Sequence, residues 1–122
     1  MTSQEFSKKV IELIKKIPEG KVASYGQIAK LAGKPQGSRG VAWILHSSSK
    51  LYKLPWQRVI NSQGKISFPK DSSYFRKQKS LLIKEGVDVE RDGSVDLEVY
   101  QWKKAPPKAK TAKKSPRMFA NV

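Results

Sequence analysis

The chain has 122 residues, with 25 Lys+Arg against 10 Asp+Glu, a formal net charge of +15 and no cysteine. That length allows one small domain and a tail, and the missing cysteines exclude disulfides, thiolate metal sites and a cysteine nucleophile. A single histidine, His46, excludes a multi-histidine metal site, so neither metal nor cofactor is expected.

The first predicted element is a helix. Thr2 and Glu5 have capping-box spacing, and Phe6, Val10, Leu13, Ile14 and Ile17 recur at helical spacing up to Pro18 and Gly20. A second short helix starts at Ser24, again with a capping-box partner, Gln27. Ile28, Ala29 and Leu31 form its inward face, Gly33 ends it, and Tyr25 occupies its first turn, where unpaired N–H groups favour a phosphate. A third helix is predicted from Ser38 to about His46, with residues 47–56 as a loop. Trp43 falls at helical spacing and is expected in the core, and His46 at an exposed helix end. Two short helices joined by Gly33–Gly37 suggest a helix-turn-helix, whose second helix usually meets DNA. Its start, Gly37-Ser38-Arg39-Gly40, is small enough for close approach to a nucleic acid and lets Arg39 project.

Further on, 58–60 and 65–67 flank Asn61-Ser62-Gln63-Gly64 as a hairpin-like wing. A helix is expected over 73–85, with Phe75, Gln78, Leu81 and Leu82 on its inner face. Val87, Val89, Val95 and Leu97 alternate around Asp92-Gly93 as a last hairpin, which Tyr100 and Trp102 pin to the core. Residues 103–122 are rich in Lys, Ala and Pro and are expected to form a disordered basic arm. That arm either adds phosphate contacts or only solubilises the chain. The domain is expected to span residues 1–102.

Charge is divided along the chain. Residues 20–84 hold thirteen Lys/Arg and one acid, Asp71, whereas 85–98 hold six acids against Arg91. A basic middle of this kind points to a polyanionic partner. No apolar run approaches the roughly 18 residues of a membrane span, and the N-terminus lacks the apolar core of a secretion signal. An intracellular monomer with no membrane role is therefore expected. Pattern and composition reach an α+β winged helix-turn-helix domain that binds nucleic acid; they do not separate a regulator from a repair protein.

Three blocks go further: residues 17–29 (IPEGKVASYGQIA), 38–42 (SRGVA) and 54–64 (LPWQRVINSQG). In order and spacing they resemble the DNA-binding domain of the O6-alkylguanine-DNA alkyltransferases, over roughly residues 5–102. The family's reactive motif is Pro-Cys-His-Arg-Val; here it reads Pro55-Trp56-Gln57-Arg58-Val59. Trp56 stands for the alkyl-accepting cysteine and Gln57 for the general base, and an indole cannot form a thiolate. The family's supporting glutamate is matched to Lys79, and its loop-bracing asparagine to Ser48. This pattern resembles the alkyltransferase-like proteins, in which the usual N-terminal domain is also absent.

The resemblance implies a protein that binds O6-alkylguanine in double-stranded DNA, flips it out without repairing it, and flags it to nucleotide-excision repair proteins. It implies that Tyr25 contacts the phosphate beside the lesion, with Gly26 next to it. Arg39 would be the finger that fills the gap left by the flipped base; the other readings are a packing Tyr and a phosphate-binding Arg. Pro55 and Trp56 would shape the lesion pocket, and the carbonyls of Trp56 and Val59 would accept from the guanine amino group. Arg58 would hold the wing. Gly37, Ser38 and Gly40 would face the minor groove, and Ser62 would make a backbone contact. The segment Ser67-Phe68-Pro69-Lys70 falls where the family's lid lies and departs from its pattern; Lys70 or Lys65 would face an electron-rich O6 group or simply solvent. Two other functions compete: a winged-helix regulator that reads undamaged DNA, and a residual enzyme acting on alkylated bases.

Overall fold

The computed structural model describes residues 2–103; the basic arm expected over 103–122 lies, from residue 104 on, outside the described residues. Helix α1 spans Ser3–Lys16. Its capping box forms as expected: Thr2 Oγ1 accepts from Glu5 N at 3.1 Å and Glu5 Oε1 accepts from Thr2 N at 2.9 Å. Phe6, Val10, Leu13 and Ile14 are buried on one face, with Ile17 just past the end.

Strand β1 (Ala23–Ser24) leads into α2 (Tyr25–Leu31). Ser24 Oγ accepts from Gln27 N at 3.0 Å, which completes the second capping box. Gly33 takes the left-handed conformation at φ 98° and lets Lys34 N reach Ala29 O at 2.9 Å. Leu31, expected on the inward face, is 42% exposed, and Ala32 is buried in its stead. The helix ends at Leu31, whose side chain is left partly in solvent.

Helix α3 runs Ser38–Tyr52, six residues beyond the expected end at His46. Ser47 and Ser49 look like breakers but are satisfied inside the helix. Ser47 Oγ donates to Trp43 O at 2.9 Å, and Ser49 Oγ donates to Leu45 O. The helix stops at Lys53, which has left-handed φ of 52°, and Leu54 then turns into the core.

A single 3₁₀ turn (Trp56–Arg58) precedes strand β2 (Val59–Ile60). The expected wing differs here. Strand β2 pairs in parallel with β1, Ala23 opposite Val59 and Ser24 opposite Ile60. The turn at Asn61 forms, with Asn61 Oδ1 accepting from Gln63 N and Lys65 N at 2.9 and 3.0 Å. Beyond it the chain joins the 93–95 segment: Lys65 bridges Ser94, and Ile66 N donates to Gly93 O at 3.0 Å. Burial decides this pairing, because it carries Ile66 and Val95 into one apolar cluster with Phe75.

Helix α4 (Ser73–Lys84) is close to its expected span. The last hairpin is replaced by a tight turn at 90–94 and a short helix α5 (Leu97–Tyr100), capped by Asp96. Tyr100 and Trp102 hold this end as expected: Val22 N donates to Tyr100 O at 2.9 Å and Trp102 N to Val22 O at 2.7 Å.

Two apolar clusters result. One joins α1, α2 and α3 with Leu54 and Val59; the other joins Val22, Ile60, Ile66, Phe75, Leu82, Val87 and Val95. Neighbouring strand residues face opposite sides, so Val59 enters the first cluster and Ile60 the second. The loop that carries Trp56 thus sits on the seam between them.

Candidate nucleic-acid interface

Trp56 opens the 3₁₀ turn directly after Pro55; both are half-buried. The indole packs on the first cluster and meets Phe68 edge-on, with centroids 6.2 Å apart at 83°. Phe68 stacks on Tyr74 at 5.3 Å and 24°. Three aromatic rings therefore run from the Trp56 turn, through the Ser67–Lys70 segment, to the first turn of α4. Neither Phe68 nor Tyr74 stood out in the sequence as a partner of Trp56, because no spacing rule links a loop to a distant helix start.

Tyr25, the first residue of α2, meets the same segment at the Ser67 side chain. Burial pushes its phenol above the ordinary 10.0, and the Ser67 side chain offsets part of that rise. The hydroxyl is consequently a protonated donor at neutral pH, suited to a phosphate oxygen. Gly26 follows it, and a Cβ there would meet nothing within 4 Å. Lys70 is exposed at the end of the segment, and Lys65 pairs with Asp92 at 3.7 Å on the surface.

The polar groups beneath Trp56 are tied down. Gln57 Nε2 donates to Glu85 Oε2 at 2.7 Å. Arg58 reaches Glu85 through Nε and Nη2 at 2.9 and 3.0 Å, and Ile17 O through Nη1 at 2.8 Å. Burial alone would raise the Glu85 carboxyl; hydrogen bonds from Arg58 and Gln57 and the Arg58 charge outweigh it and hold it below the ordinary 4.5. The carboxylate behind position 57 is thus Glu85, which corrects the match to Lys79; Lys79 is half-exposed on α4. A clue was present in the sequence: a motif arginine packed against a core needs a counter-charge, and Glu85 follows α4 directly. Arg58 is structural as expected, but it ties the end of α1 to the end of α4 rather than holding the wing.

Gln78, 2% exposed, donates from Nε2 to Gln57 O and Val59 O, each at 3.0 Å. Val59 N–H donates to Trp56 O. Both carbonyls assigned to the guanine amino group therefore have an internal partner already, and each keeps a second lone pair. Val59 is a core residue, 1% exposed. Ser48 is half-buried on α3, its hydroxyl 3.5 Å from that of Ser47.

On α3, Arg39 is exposed and has no ion pair among the described residues. Gly37 and Gly40 are small for a reason inside the protein: a Cβ at either would come within 3.0 or 3.1 Å of the Phe6 ring. Ser38 between them is half-buried, and Ser62 is exposed at its turn. Trp43, expected in the core, is 66% exposed. Val41, Ile44 and Leu45 occupy the buried face of α3. A recess of about 580 Å³ lies along α1 and the end of α3, beside Ile11, Lys15 and Tyr52, and contains none of these site residues.

The family model for the 6-O-methylguanine DNA methyltransferase DNA-binding domain matches residues 5–87. The chain is 43% identical over 98 residues to the DNA base-flipping protein of Vibrio parahaemolyticus, covering 80% of this chain and 96% of that one. It is 36% identical over 107 residues to Alkyltransferase-like protein 1 of Schizosaccharomyces pombe, covering 84% and 99%. The solved structure of S. pombe Atl1 in complex with damaged DNA containing O6-carboxymethylguanine superposes with a TM-score of 0.74 at 37% identity, over 85% of this chain and all (100%) of that one.

Proposed function

The chain belongs to the family of the 6-O-methylguanine DNA methyltransferase DNA-binding domain, among its alkyltransferase-like members, and from that premise we propose that it binds O6-alkylguanine in duplex DNA, flips the damaged nucleotide out and leaves the alkyl group in place. The observation that carries the last clause is the residue at the reactive position. Trp56 stands there, in a chain with no cysteine, and an indole is neutral and has no thiolate form to accept an alkyl group. Gln57 has no basic nitrogen, and its amide is held by Glu85. The protein is a binder and not an enzyme.

On this reading each side chain has a role. Tyr25 donates its protonated hydroxyl to a phosphate beside the lesion, and Gly26 lets the backbone approach the duplex. Arg39 enters the stack, where a planar guanidinium can replace a base and hydrogen-bond its orphaned partner. The flipped base meets the Trp56 turn and the Phe68 edge, with Lys70 at the rim. The carbonyls of Trp56 and Val59 offer their free lone pairs to the guanine amino group. A lesion held out of the stack and left chemically intact requires a second system to remove it, and nucleotide-excision repair is the class that excises damaged stretches. The protein acts as a monomeric flag for it.

The test is binding to otherwise identical duplexes carrying O6-methylguanine or guanine at fixed salt, followed by mass measurement of the protein. Expected are tighter binding to the lesion and an unchanged protein mass. Equal affinity for the two duplexes sinks the lesion reading; a gain of one methyl mass sinks the non-enzymatic one.

A further inference from the structure

The last described residues leave the fold at a fixed place. Val22 N donates to Tyr100 O at 2.9 Å, Trp102 N donates to Val22 O at 2.7 Å, and Gln101 bridges Val22 in parallel. The 100–102 segment therefore runs beside Val22 in the direction that β1 takes into α2. Gln27, in the first turn of α2, fixes its end: Nε2 donates to Trp102 O, and Oε1 accepts from Gln101 Nε2 at 2.9 Å. Trp102 packs on the first cluster, and Lys103 is exposed just beyond it. The chain thus comes out beside the turn that carries Tyr25 and Gly26.

We propose that the basic arm opening at Lys103 is a second DNA contact, which follows the phosphates on one side of the lesion only, the side that Tyr25 faces. The exit point is the first argument: an arm anchored through Gln27 starts where the reading above places the wall of the duplex. Charge is the second. Residues 103–122 hold seven Lys/Arg and no Asp or Glu, so the partner of the arm is an anion. The chain's own acids at 85–98 are the competing partner, and four of the six are already engaged: Glu85 by Arg58, Asp92 by Lys65, Asp88 by the Tyr100 hydroxyl and Asp96 by Glu98 N. Reach is the third. The fourteen residue steps from Lys103 to Arg117 span at most about 48 Å, or about fourteen base steps at about 3.4 Å each. The charges of the arm can therefore meet successive phosphates along one flank of the site. Lysines that meet phosphates read no base, so the arm adds salt-dependent affinity without sequence preference.

This inference rests on the DNA-binding part of the reading above and on the place of Tyr25 in it. Two full-length variants test it. The chain has no cysteine, so Ser115→Cys offers a single position for an iron–EDTA probe that cuts nearby DNA. On a duplex with a central O6-methylguanine, which fixes the way the protein faces, cleavage is expected on one side of the lesion only. The second variant replaces all seven Lys/Arg of 103–117 by Gln. It is expected to weaken lesion and guanine duplexes by the same factor, about tenfold, and to reduce the slope of log affinity against log salt by about three, as the loss of three or four phosphate contacts requires. Cleavage on both sides, or none, overturns the one-sided arm. An unchanged slope overturns the DNA contact, and so does tighter binding by the Gln variant, which would mean an arm that covers the site. If wild type shows no lesion preference, the lesion reading falls, while an equal loss of slope on both duplexes still supports the arm.

Discussion

The turn that carries Trp56 and the helix start that carries Arg39 belong to one proposed site and are built in opposite ways. Beneath Trp56, Gln57, Arg58, Glu85 and Gln78 are joined by hydrogen bonds, and the two strand residues that follow are buried in two different clusters. At Arg39 only the backbone is fixed, through Gly37 and Gly40 pressed on Phe6, while the guanidinium is left in water. The contrast matches two tasks. A surface that receives a flipped base must exist before the base arrives, since ordering it afterwards would cost binding energy. A finger that enters a base stack must be free to leave solvent without breaking an ion pair.

The comparison predicts that substitutions under Trp56 act on stability and those at Arg39 act on binding. The largest effect is expected from Arg58→Ala. It removes one half of a mostly buried ion pair and the donor to Ile17 O, and should cost about 3 kcal/mol in chemical denaturation. The same pair gives an acid limb. The Glu85 carboxyl is held below its ordinary 4.5 in the folded protein, so its contribution is complete above that value and is lost as the pH falls through the folded one. In Glu85→Gln that limb should flatten; an unchanged acid profile would mean that Glu85 does not carry it. Gln78→Leu comes next, at about 2 kcal/mol, because it leaves the Gln57 and Val59 carbonyls buried without that donor.

How much of this was legible follows from range. Both capping boxes, the α1 stripe and the cores of α2 and α4 are local patterns, set by spacings of three or four residues. The three matched blocks were legible as well, and with them the positions that Tyr25, Arg39 and Trp56 take in the family's pattern. Long-range choices were not. The 65–67 strand could pair with 58–60 or with 93–95, and only the shared burial of Ile66, Phe75 and Val95 decides between them. Glu85 and Lys79 are both charged residues near the end of one helix, and only the packed arrangement shows which reaches Gln57. Trp43 was misplaced because helical spacing alone does not say which side of a helix the core covers.

Arg39→Ala should reverse the pattern seen under Trp56. It is expected to leave the melting temperature unchanged and to weaken lesion binding by about tenfold, or 1.4 kcal/mol. A melting temperature lowered as far as in Arg58→Ala would erase the distinction between the two regions.

The smallest effects make the sharpest comparison, between two glycines. Gly40→Ala places a Cβ 3.1 Å from the Phe6 ring, closer than van der Waals contact allows without movement, and should destabilise by about 1 kcal/mol. Gly26→Ala places a Cβ in open space at the second position of α2, where alanine should gain about 0.5 kcal/mol from the reduced entropy of the unfolded chain. If the duplex lies against this end of α2, that added methyl occupies its space, so Gly26→Ala should melt slightly higher and bind DNA more weakly. Stability and affinity would then move in opposite directions from one methyl group. Unchanged affinity would instead place the duplex away from Gly26, and with it away from the Tyr25 hydroxyl.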